Sequence, residues 1–177
     1  MSPQPEPWLR GPVRGIPALL QPAAHAFVLA LEDSESAVAG LTAEQLWVEP
    51  GGAGSPGFHL LHLAGSTDRL LTYARGEALS EVQRSALATE KKITAPYPSL
   101  DDLLTRWRAT VEGALRQLSA TPEATLNDAR LVGRAQLPST VIGLLFHAAE
   151  HAQRHAGQLV TASKIIRGLD LTRSSAR

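Results

Sequence analysis

The 177-residue chain has no cysteine, which excludes disulfides, thiolate-ligated zinc, iron–sulfur clusters and a cysteine nucleophile together. Any metal must therefore rest on histidine and carboxylate. Charge of one sign is also missing: seventeen basic side chains balance seventeen acidic ones, so no global field draws the protein to nucleic acid or an anionic membrane. No apolar run reaches the roughly 20 residues of a membrane span. The start, MSPQPEPWLRGP, lacks the charged-then-apolar layout of a secretion signal. The expectation is a cytoplasmic protein with neither a nucleic-acid nor a membrane partner. A content of 44% hydrophobic and 19% charged residues is ordinary for a globular chain, and the length suits one domain with a sizeable core.

Residues 1–14 carry Pro3, Pro5, Pro7 and Pro12 and read as an extended arm, with Trp8 and Leu9 available to dock on the body. The body spans residues 15–168, and 169–177 form a polar tail. Four stretches of the body are amphipathic. From about Pro17, Leu20, Ala24, Phe27, Val28, Leu31 and Val38 recur at helical spacing, with Gly40 as a stop. A second helix runs through GFHLLHLAGSTDRLLTYARG, with Ser55 as N-cap, Pro56 in first position and Gly76 at its end. Ser99 caps a third, LDDLLTRWRATVEGALRQLSA. Ser139 or Thr140 starts a last one, reaching about Arg167.

Between these lie a loop rich in proline and glycine at 49–56, a weakly patterned segment at 77–97 that suits a short helix or lid, and a connection at 121–138. No strand pair declares itself there, although ARLVGRAQL suits a short extended excursion. Four apolar stripes without alternating strands predict an all-α protein, an antiparallel four-helix bundle with long crossover connections.

The chemistry lies in the histidines. His147, His151 and His155 recur at four-residue intervals on the last helix, and neighbours in that series share a face. The second helix adds His59 and His62, three apart and also on one face. If the two helices pack side by side, one histidine from the second and two adjacent ones from the last surround one ion. Three protein ligands leave a position for water or substrate. His147 and His155 differ by about 80° around the axis, so all three late histidines do not reach one ion. The remaining one falls to an outer or substrate-contacting role. Imidazole ligation admits several divalent metals. His25 reads as a partly buried or surface histidine.

Two other motifs compete. His147-Ala148-Ala149-Glu150-His151 matches the inverted zinc-peptidase pattern H-x-x-E-H, with Glu150 as general base. Only 26 residues follow His151, too few for a further ligand helix, so Glu150 reads better as a solvated or outer-sphere carboxylate. Ser66 and Asp68 evoke a hydrolytic triad, but no G-x-S-x-G surrounds the serine.

The pair of segments GFHLLHLAGSTDRLLTYARG and HAAEHAQRHAGQL, with His151, His155, Gly157 and Gln158 in an H-x-x-x-H-x-G-Q arrangement, resembles the DinB-like superfamily, also called the YfiT-like metal-dependent hydrolases. The resemblance covers about residues 15–168. It implies a four-helix bundle, a homodimer, and a metal held by one histidine of the second helix and two of the last, here His62, His151 and His155. His62 is preferred over His59 because it precedes Leu63 and Ala64. The extra His59 and His147 depart from the family's three-histidine pattern, and no second domain of the kind some mycothiol-dependent relatives carry is present.

Some members transfer bacillithiol, mycothiol or glutathione, which makes a small-molecule thiol S-transferase the leading expectation, its thiol supplied from outside. A metal-dependent hydrolase is the alternative, and a non-catalytic stress-related binding or dimerisation module is the rival from another class. Zinc and nickel head the possible ions, with iron, cobalt, copper and manganese left open. Arg69, Arg154 and Gln158 are candidates for orienting a charged cosubstrate, with surface solvation as the simpler role for both arginines.

Overall fold

Each of the four apolar stripes is a long helix in the computed structural model, which describes residues 4–169. The tail residues 170–177 and residues 1–3 of the arm lie outside the described residues. The elements in chain order are α1 (Gln21–Val38), α2 (Pro56–Ala74), α3 (Glu81–Thr89), α4 (Leu100–Ala120), β1 (Ala129–Val132), β2 (Leu137–Thr140) and α5 (Val141–Gly168), with short 3-10 turns between them.

Local chemistry explains the starts and stops. Ser55 accepts the Phe58 N–H at 3.1 Å and Pro56 occupies the first position of α2, where its missing N–H costs nothing. Ser99 caps α4 through the Asp102 N–H, and Asp101 and Asp102 sit against the positive end of the helix dipole. Thr140 caps α5 through the Gly143 N–H at 3.1 Å. Gly76, just past α2, has φ +79°, a left-handed conformation that closes the helix without a Cβ penalty.

Two contacts fix the direction of α5 relative to α1. Gln153 donates to the Ala26 carbonyl at 2.6 Å and Arg167 to the Ala37 carbonyl at 2.7 Å, so the numbering rises together and the helices run parallel. Against α2, in contrast, His155 meets His59 and His151 meets Ser66, so α5 and α2 are antiparallel. Arg108 with Glu35, and Ser119 with Gly15, set α4 antiparallel to α1. Each of α1 and α2 packs against both α4 and α5.

The bundle therefore differs from the simple antiparallel one in three respects. Two of its neighbouring pairs are parallel, a fifth helix rides on the α2–α4 crossover, and the α4–α5 connection holds a hairpin pairing Ala129 with Thr140 through Val132 with Leu137. The parallel pairs follow from the crossover, which returns the chain to its starting end before α4 begins.

Leu20, Phe27, Leu60, Leu63, Trp107, Val111, Leu118, Leu145 and Leu159 fill the centre. Where α1 packs on α5, Ala24 and Ala30 of α1 and Ala148, Ala152 and Ala156 of α5 are all buried, small side chains of the kind that let helices approach closely. The arm is tied down rather than free: Arg10 pairs with Glu32 through two hydrogen bonds, Pro7 is buried, and His25 donates to the Gly11 carbonyl at 3.0 Å. Trp47 closes one edge, stacked on Tyr97 at 4.5 Å and leaving no room for a side chain at Gly57. No described helix is long and apolar enough to cross a membrane.

Candidate metal centre

Because α2 and α5 are antiparallel neighbours, histidines near the start of one meet histidines in the middle of the other. His62, His151 and His155 each offer a ring nitrogen, all within 4.8 Å of one another. Their ring centroids lie 4.3 Å (His62–His155), 4.5 Å (His151–His155) and 5.1 Å (His62–His151) apart. A zinc ion at 2.0–2.1 Å from each nitrogen calls for nitrogen separations of about 3.3 Å, within the 4.8 Å span of the three nitrogens.

One nitrogen of two of the rings is already engaged, which leaves the other for an ion. His62 Nδ1 donates to Glu90 Oε1, leaving Nε2 for an ion. His155 Nδ1 lies 3.2 Å from His59 Nδ1, and with His155 as donor its Nε2 keeps the lone pair. Such orientation of a ligating imidazole by an outer hydrogen bond fixes its tautomer. His151 has a weaker neighbour, Ser66 Oγ at 3.5 Å.

The electrostatics suit a cation. Burial, helped by the charge of neighbouring histidines, lowers His151 to about 4 and His155 to about 3. Burial also lowers His59 to about 4. These rings are neutral at pH 7, the state in which imidazole ligates, so little proton release opposes binding. The donor set thus fits a divalent ion of the borderline class.

Glu90 is the residue that sequence patterning missed. It comes from the 3-10 turn Glu90–Lys92 on the crossover, is only 6% exposed, and also accepts from Arg69 Nη1 at 2.9 Å. Burial pushes its carboxyl up, but the hydrogen bonds and charge of His62 and Arg69 outweigh that and hold it below the ordinary carboxylate range. Arg69 is itself 7% exposed, so it is neither a solvated surface arginine nor free to orient a cosubstrate. No spacing signal links Glu90 to His62 across 28 residues.

The remaining predicted residues lie outside the triad, with Ser66 bordering it beside His151. His147 is 48% exposed and donates to Glu150 at 2.7 Å, and Glu150 is further bound by Arg154 at 2.8 Å. The H-x-x-E-H stretch therefore forms a surface pair and not a peptidase centre. Ser66 donates to the His62 carbonyl at 2.6 Å and Asp68 accepts from Gln83, so no serine triad forms. Arg154, Gly157 and Gln158 line a groove of about 550 Å³ that reaches His59 and Gly54. A second cavity, about 820 Å³, lies between Tyr73, α3 and the hairpin, some 11 residues or roughly 16 Å further along α2 than His62.

Comparison with known proteins agrees with this architecture. A family model described as the DinB superfamily matches residues 26–159. A crystal structure described as the conserved protein of locus from Enterococcus faecalis superposes with a TM-score of 0.69 at 17% identity, covering 85% of this chain and 98% of that one. No curated protein matches the sequence. With a bundle of this topology, three histidines converging from α2 and α5, and a family model spanning most of its length, the chain belongs to the DinB superfamily.

Proposed function

We propose that the protein holds a divalent ion through His62, His151 and His155 and acts with it on a small molecule, with transfer of a low-molecular-weight thiol ahead of hydrolysis. The observation that carries the reading is the meeting of three imidazoles from two helices with their nitrogens within 4.8 Å. Zinc and nickel are among the ions that imidazole donors suit. Bound there, the ion supplies Lewis acidity and lowers the pKa of a thiol or water that joins it.

The surroundings favour the thiol. The ion activates bound water as it does a thiol, but general-base help for a hydrolase has no free carboxylate in Glu90, engaged by His62 and Arg69, or in Glu150, engaged by His147 and Arg154. Thiol transfer needs no such base once the sulfur is ionised, and the chain, lacking cysteine, takes its thiol from outside. The groove beside His59, with Arg154 and Gln158 on its wall, offers room for a polar cosubstrate. A homodimer in the cytoplasm completes the proposal.

A non-catalytic binding module is the second reading, favoured by the fact that this groove is lined by His59 and not by the three ligands. Metal analysis of the purified protein, followed by zinc- and nickel-loaded assays with bacillithiol, mycothiol and glutathione against an electrophile, decides between them. One bound ion per chain with thiol consumption supports the transferase. One ion without turnover supports the module, and protein that takes up neither metal rejects the transferase and the hydrolase.

A further inference from the structure

Between Ser80 and Leu100 the crossover buries a single residue, and that residue is a carboxylate. Helix α3 has no buried side chain, and its Val82 and Leu87 are exposed. The crossover's other ties are Gln83 to Asp68 and Thr72 at 2.8 Å, and Tyr97 on Trp47. A segment this poor in apolar burial is held weakly. Glu90 instead runs inward to His62 and Arg69, two groups of α2.

Helix α2 makes room for this. A Cβ on Gly65 would stand 2.9 Å from both Arg69 Nη1 and Glu90 Oε2, so the ion pair lies directly over the α2 backbone at a position that only glycine leaves open. The buried carboxylate is thus compensated by a guanidinium on one oxygen and an imidazole N–H on the other, as a buried charge requires.

Resting on the metal reading above, we propose that Glu90 is a positioning residue for His62 and that it couples the crossover to the metal: an ion at the triad strengthens docking of residues 81–98, and a docked crossover strengthens ion binding. The logic is reciprocal. A cation on Nε2 makes the His62 Nδ1–H a better donor to Glu90, and Glu90 in turn makes the ring a better ligand. Coupling between two sites acts equally in both directions. The crossover then acts as a strap whose closure reports on metal occupancy.

The test uses the full chain, zinc as the probe, and two readouts other than activity: the dissociation constant by competition with a chromophoric chelator, and backbone hydrogen exchange over residues 81–98 with and without zinc. In the native protein zinc slows exchange there. Glu90→Ala is expected to weaken zinc binding by about 10–100-fold and to erase the zinc-dependent protection. Glu90→Gln keeps an acceptor for His62 and falls between.

Gly65→Ala changes no ligand and displaces only the ends of two side chains, so it keeps the fold, weakens zinc binding and raises exchange over 81–98. Circular dichroism checks the fold of each variant, and if Glu90→Ala loses helix content the other two carry the comparison. Native protein that binds zinc, alongside variants that bind it equally tightly or a segment 81–98 indifferent to zinc, overturns the coupling and leaves the metal site standing. Native protein that binds no zinc overturns both.

Discussion

At the scale of single residues, position around one helix separates a candidate ligand from a bystander. His147 and His151 are one turn apart on α5, yet His151 faces α2 while His147 is 48% exposed and engaged with Glu150. His151→Ala is therefore expected to weaken zinc binding by more than the roughly 10–100-fold typical of an outer-sphere loss, whereas His147→Ala leaves the affinity within about twofold, a shift below ~0.5 kcal/mol. Chelator competition measures both, and equal losses would contradict the assignment.

The periodicity of the late histidines was legible because a helix repeats every 3.6 residues wherever it lies. The identity of the partner on α2 was less so: His59 and His62 share a face, and only packing shows His62 in the triad and His59 behind His155. Glu90 and the burial of Arg69 were not legible, since a contact across 28 residues leaves no local trace.

At the scale of elements, the helix starts were readable because serine and threonine caps act over three residues. The chain carries α5, and two of the three imidazoles, from a cap at Thr140. Thr140→Ala is expected to cost about 1 kcal/mol and to lower the melting temperature by roughly 2–4 °C, with zinc affinity retained because the ligands lie a full three turns downstream. Thermal denaturation with and without zinc checks both halves.

The hairpin was legible only in part: ARLVGRAQL suits an extended excursion, and β1 forms there, but the strand pairing leaves no pattern. Its strands are four residues each, with burial alternating on β1 but not on β2, and its pairing is dictated by the need to return from α4 to α5. Helix direction was likewise hidden. Stripe patterns specify which faces are buried, but the parallel α1–α5 pair depends on how far the crossovers travel.

At the scale of the whole molecule, the buried imidazoles tie stability to pH. His59, His151 and His155 fall from the ordinary 6.5 to about 4, 4 and 3, chiefly through burial. As pH drops below about 6.5 the unfolded chain takes up protons that the folded protein refuses, so the metal-free protein loses stability from near pH 7 down to about pH 3. Below that the folded rings protonate too, and their contribution levels off. Glu90, held below the ordinary carboxylate range, adds a further loss at the acid end as it protonates.

Melting temperatures of metal-free protein at pH 7.5, 6 and 5 should decline steadily, and a flat series would show that the rings are not buried as neutral bases. The most direct test is X-ray absorption at the zinc edge of the zinc-loaded protein. The expected spectrum has three imidazole nitrogens at about 2.0–2.1 Å, falling to two in His62→Ala; fewer than three imidazoles in the native protein, or a spectrum unchanged by His62→Ala, would contradict a shared site between α2 and α5.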